Sequence, residues 1–146
     1  MPEINWIAII VAALIPSIMG AIYYGPLFEK QWLSSLGKTS EEMVPSNMPI
    51  TYGLALLMAI LVSMSLKITN EMLHRDVNSA GELYFTSFHT FSHGALHGVM
   101  ICVSFVVPII ISLSLFQKSS GKNIILNVVF WIVCFALMGG ILDVWN

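Results

Sequence analysis

The sequence predicts an all-α fold: a polytopic membrane protein, a bundle of four transmembrane helices with a short amphipathic interfacial helix after helix one. Three observations lead there. Residues 4–28, 43–66, 83–117 and 123–142 contain no Asp, Glu, Lys or Arg. Each stretch reaches the ~20 apolar residues that cross a ~30 Å hydrocarbon layer. Hydrophobic residues make up 57% of the chain and charged residues 10%, against about 25% charged in soluble domains. In lipid every backbone polar group must be satisfied within its own element, so apolar blocks of this length are helices. The length of 146 residues fits one membrane domain over residues 1–146, with no separate soluble one.

Helix one is expected over residues 5–24, with a kink at Pro16, whose missing N–H frees a carbonyl for neighbouring helices or hydroxyls to satisfy. Gly25-Pro26 stops it. Phe28, Trp32, Leu33 and Leu36 then recur at helical spacing around Glu29, Lys30 and Gln31, the pattern of a helix lying in the membrane surface. Gly37 ends that helix, and Thr39 with Glu42 fits a capping box. Helix two is expected over residues 50–69, with Lys67 snorkelling to the surface. The loop 70–78, carrying Glu71, His74, Arg75 and Asp76, reads as wet. Ser79 with Glu82 fits a second capping box, so helix three is expected from Ala80 to Phe116. At about 1.5 Å per residue it would be about 55 Å long. It must therefore project beyond the bilayer or bend at Gly94, Gly98 or Pro108. Helix four covers residues 123–142, and Asp143 is read as solvated at the interface.

A net charge of −2 without a basic patch excludes nucleic-acid binding. Cys102 and Cys134 both fall within predicted spans and read as small apolar side chains. The first residues lack the positive region of a secretory signal, so helix one reads as retained. Trp6, Tyr84 and Trp145 gather on the side of the termini and Tyr23, Tyr24, Trp32 and Tyr52 on the other, an aromatic-belt pattern. Lys30, Lys38, Lys118 and Lys122 outnumber Lys67 and Arg75 across the membrane. The positive-inside rule therefore places loops one and three in the cytoplasm and both termini outside.

Three of the four histidines stand in His89-xxx-His93-xxx-His97. On one continuous helix they share an arc of about 80° with Glu82, Thr86, Met100 and Ser104, a polar stripe on an otherwise apolar helix. Ionisable groups in membrane helices face the bundle interior or a water-filled cavity. A stripe of this kind hydrogen-bonds to neighbouring helices, lines a polar or proton path, or binds a transition metal through His89, His93 and His97. On one helix His89 and His97 stand about 12 Å apart. One ion cannot take all three, and a second helix must add ligands, with Glu82, Asp143 and Cys134 available. Gly94-xxx-Gly98 is a small-residue motif for close helix contact, and Gly20, Gly139 and Gly140 read the same way.

The chain resembles a bacterial membrane family catalogued as domain of unknown function 1761. The resemblance rests on Asn5-Trp6, Tyr24-Gly25-Pro26-Leu27-Phe28, Trp32, Ser40-Glu41-Glu42, His93-Gly94-Ala95-Leu96-His97-Gly98, Leu115-Phe116 and Leu137-Met138-Gly139-Gly140-Ile141. It implies a small four-helix protein of the bacterial inner membrane and brings no reaction, cofactor or catalytic residue with it.

The residues offer no catalytic triad, no phosphate-cradling loop and no paired carboxylates within the spans, so an enzyme is not the expected reading. The leading one is a non-enzymatic accessory or structural subunit in the lipid bilayer that self-associates or joins other membrane subunits. The alternatives are a small oligomeric transporter or channel with a His-lined path on helix three, and a metal-binding membrane protein using His93 and His97.

Overall fold

The computed structural model describes residues 5–86 and 89–145, Phe85 by its backbone alone. The N-terminal residues 1–4, the Phe85 side chain, Ser87, Phe88 and Asn146 lie outside the described residues, and so do the expectations that fall on them. Among the described residues, four helical segments, Trp6–Leu27, Met48–Leu73, Phe91–Phe116 and Gly121–Val144, are long and apolar enough to cross a membrane.

Helix α1, Trp6–Ile22, starts at Asn5, whose side chain accepts the Ala8 N–H at 3.1 Å. It accommodates Pro16 internally, and a wide turn over Tyr23–Leu27 follows, in which the backbone leaves helical geometry at Gly25 (φ −97°, ψ −113°) just ahead of Pro26, where the sequence places the stop. Helix α2, Glu29–Leu36, is the amphipathic piece and closes on Gly37 in the left-handed region (φ 65°). The Thr39 N–H donates to the Glu42 carboxylate at 2.8 Å, one half of the expected capping box, and the Thr39 hydroxyl donates to the same oxygen at 3.3 Å. Helix α3 covers Met48–Leu73 under an Asn47 cap that accepts the Ile50 N–H.

The segment after α3 departs from the sequence reading. Residues Arg75–Val77 (β1) and Leu83–Phe85 (β2) pair antiparallel, with Asp76 opposite Tyr84. The Asn78 side chain drives this turn by accepting the N–H groups of Ala80 and Glu82 at 3.0 and 2.9 Å. The Glu82 carboxylate accepts from the Asn78 amide instead of capping a helix. A side chain that bonds its own backbone two residues on competes with helix nucleation. Helix three therefore begins later than expected, as α4, Phe91–Ile101, capped by Thr90, whose hydroxyl accepts the His93 N–H at 3.3 Å.

A π-turn over Cys102–Val106 joins α4 to α5, Val107–Phe116, just ahead of Pro108. Helices adjust in this way where a proline removes a ladder donor. The last helix, α6, is Gly121–Val144.

Helix α6 is the centre of the molecule. It buries Phe135, Met138 and Leu142 against Ala8, Ile9 and Ala12 of α1, Leu66 of α3 and Cys102, and in a second cluster it buries Leu126, Phe130 and Cys134 with Tyr23. The outer faces of α3, α4, the following π-turn and α5 expose Leu57, Leu61, Leu96, Phe105, Ile109 and Leu113, an apolar surface suited to lipid. Asn5 Nδ2 donates to the Trp145 carbonyl at 3.2 Å, tying the start of α1 to the end of α6. On the opposite side Tyr23 is not a belt residue. It is buried, donates to the Leu126 carbonyl, and packs with Tyr24, Phe28 and Phe130.

Lys67 does not snorkel. It is 4% exposed, donates to the Leu142 carbonyl at 3.2 Å, and pairs with Glu71 at 2.8 Å. That carbonyl is among the last four of α6, which have no partner within the helix. Removing one member of a buried ionic pair strands the other. Glu71 keeps some solvent contact, so Lys67→Met is expected to cost about 2–3 kcal/mol, read as a lowered midpoint in thermal unfolding of detergent-solubilised protein.

Candidate metal centre

The α4–α6 crossing positions the site. A methyl group added at Gly94 would overlap the Gly139 carbonyl and the Asp143 side chain, and one at Gly98 would overlap the Phe135 carbonyl. Gly139 meets Gly94 from the other side, and Gly140 lies under the Phe91 ring. The small-residue motif is thus used inside the chain. Gly20 is different, since a methyl there would make only ordinary contact with Phe130, at 4.0 Å. His93 and His97 each precede a contact glycine by one residue, about 100° around the helix, and this turns them to the edge of the seam, toward the end of α3.

His74, the residue that closes α3, stands there and is 2% exposed. The expected wet loop is in fact buried at this residue. The His74 ring stacks on His93 at a centroid distance of 4.9 Å, lies 4.4 Å from His89 and 5.4 Å from His97, and His93 and His97 are 4.3 Å apart. Asp143 lies on the inner face of α6 and is also 2% exposed, which overturns its reading as a solvated interface residue. Its Oδ1 is 3.1 Å from His89 Nδ1 and 3.5 Å from His74 Nε2. Its Oδ2 accepts the Thr90 N–H at 3.2 Å and stands 3.9 Å from His93 Nδ1.

All four histidines and one carboxylate therefore meet at the end of the bundle that carries the chain termini. Because α4 starts at Phe91, His89 is not on the helix. It folds back over Asp143, and the 12 Å separation expected on a continuous helix does not apply.

The polar stripe does not form as expected. Glu82 lies in the hairpin turn, Thr86 donates its N–H to the His74 carbonyl at 2.8 Å, and Ser104 is exposed within the π-turn. Of the second-helix ligands considered, Asp143 is at the site and Glu82 is not. Cys134 is buried nine residues earlier on α6, about 13 Å along the axis, in the core around Tyr23, Leu126 and Phe130. His74 is the residue that sequence reasoning missed. The available signal was Asn78-Ser79-Ala80-Gly81 between short runs containing Val77 and Leu83-Tyr84-Phe85, a hairpin pattern that brings His74 back beside His89.

The donor atoms fall into two sets within coordination range: His74, His93 and His97, and His74, His89 and Asp143. In each set one atom per residue lies within 4.8 Å of the others. Both ring nitrogens of His74, and Nδ1 of His97, are buried without a hydrogen-bond partner among the described residues. Buried polar atoms are nearly always satisfied, so these nitrogens fit a ligand that takes lone pairs. A transition-metal ion with imidazole and carboxylate donors meets that need.

Burial holds His74 below the ordinary histidine value of 6.5. Asp143 opposes this, and the other three histidines reinforce it. The buried ring thus resists protonation while the unfolded chain takes up the proton. Metal-free protein is accordingly expected to lose stability as pH falls below about 6.5. The check is unfolding of the chelator-treated protein between neutral and mildly acidic pH, where His74→Phe should flatten the slope.

A family model described as Protein of unknown function (DUF1761) matches residues 7–143. No curated protein and no solved structure matches the chain.

Proposed function

The chain belongs to the DUF1761 family, whose description names no activity, and from the geometry of the site we propose that it is a multi-pass membrane protein that binds a divalent transition metal at one end of its helical bundle. The single observation that carries this reading is the convergence of four imidazoles and Asp143, with three ring nitrogens buried and unpartnered among the described residues. Zinc, copper and iron all suit the donor set. His89 and His93 keep side-chain exposures of 21% and 28%, so an ion can enter past them while His74 and Asp143 close the floor.

The lysine distribution and the family resemblance support a bacterial inner membrane with both termini outward. The site would then collect its ion from the outer face. This reading replaces the accessory-subunit one as the lead, because the Gly94–Gly98 face that favoured association with other subunits is filled by α6.

The test is metal binding by protein purified in mild detergent, stripped with chelator and dialysed against Zn²⁺ or Co²⁺. Stoichiometric retention, with the visible absorption of nitrogen-ligated Co²⁺, is expected. His74→Ala should lose it while still eluting as folded protein. Wild-type protein retaining no more metal than His74→Ala would overturn the proposal.

A further inference from the structure

Resting on that metal reading, we propose that the site holds two ions, one in each donor set, bridged by the ring of His74. Zinc–nitrogen and zinc–carboxylate bonds are about 2.1 Å, so two donors to one ion stand at most about 4.2 Å apart. The five donor groups do not gather as one set even within 4.8 Å, whereas two sets of three do, and each of those needs its donors to close by only a few tenths of an ångström around an ion. The sets are His74 with His93 and His97, and His74 with His89 and Asp143. Only His74 belongs to both sets.

The same ring has both nitrogens buried and unpartnered among the described residues. A single ion uses one of them and leaves the other stranded. The competing arrangement has Asp143 accept a hydrogen bond from His74 while the far nitrogen ligates one ion, the usual carboxylate–histidine–metal pattern. Asp143 is poorly placed for it. Oδ1 already lies 3.1 Å from His89 Nδ1, Oδ2 accepts from Thr90, and His74 Nε2 stands 3.5 Å away without hydrogen-bond geometry.

In the two-ion arrangement His74 Nε2 serves the Asp143 side and Nδ1 the His93–His97 side. The second ion displaces the ring N–H proton to water, and the resulting imidazolate and the Asp143 carboxylate each offset one positive charge. Each ion has three protein ligands and keeps an open position for water or a small anion.

The experiment is Zn²⁺ loading of the stripped full chain, with metal and protein quantified after gel filtration, and electron paramagnetic resonance of the Cu²⁺-loaded protein. Two ions per chain are expected. Removing an outer ligand of one set should spare the other, so His89→Ala and His97→Ala should each retain one. The Cu²⁺ signal should grow to half-loading and weaken toward full loading as the bridged pair couples. One ion in the wild type, unchanged in His89→Ala, would overturn the bridged pair and leave the metal reading standing. No retained ion would overturn that reading itself. The wild-type count needs no variant to fold.

Discussion

Gly98→Leu is expected to leave no stably folded protein, and the crossing it breaks is the one that builds the site. An added Cβ at Gly98 runs into the Phe135 carbonyl and carbonyl carbon, which are backbone atoms of the central helix and cannot swing aside. Overpacking by a few methylenes in a deformable core costs about 1–3 kcal/mol. Here two backbones must separate, so the loss should reach about 3 kcal/mol or more. Separating α4 from α6 also carries His93 and His97 away from Asp143, so metal retention should fall with the fold. Gly20→Ala is the matched control, because a methyl there makes only ordinary contact with Phe130. Thermal unfolding in detergent and metal content, measured on both variants, check this. A Gly98→Leu protein as stable as Gly20→Ala would contradict the close crossing.

The four long apolar helices were legible because a segment fit to cross lipid must be largely apolar and must satisfy its backbone within the helix. The amphipathic α2 was legible for a related reason, the phase between Trp32 and the charges around it. What could not be read was which polar residues near the helix ends turn inward. Lys67, His74 and Asp143 all sit where a snorkelling or solvated residue would sit. Their burial depends on Gly94, Gly98 and Gly139 letting α4 and α6 close up beside the end of α3. The glycines were seen as contact points, but a lone sequence does not say which helix they meet. Ser79 and Glu82 place the start of helix three too early because they mimic a capping box, while the adjacent Asn78 takes the Glu82 N–H that the box would use, and the Ala80 N–H, in a turn. That error hid the site. Extending the helix back to Ala80 sets His89 two turns from His97 and puts His74 on a remote loop, whereas the hairpin returns the His74 ring to 4.4 Å from His89 and 4.9 Å from His93.

Asp143→Asn is expected to lower metal affinity by at least 10–100-fold, the range for carboxylates that ligate or orient ligands, and to destabilise the metal-free protein by about 2 kcal/mol, the size of a charge-assisted hydrogen bond. The two losses have separate causes. The carboxylate lies at the C-terminal end of α6, where the helix dipole disfavours negative charge, so the surroundings must hold it there. The Thr90 N–H and His89 do so on its two oxygens, and in return Asp143 fixes the residues that start α4. An amide keeps the shape but offers one acceptor oxygen. It can receive the Thr90 N–H or serve His89 as an acceptor, and it brings no charge to an ion. If Asp143 were only an anchor for α4, its replacement would lower the unfolding midpoint and leave the bound metal unchanged. His89→Ala makes the comparison, since it removes a ligand and leaves the Thr90 contact in place. Metal titration and thermal unfolding of the two variants together should show Asp143→Asn losing on both measures and His89→Ala mainly on the first.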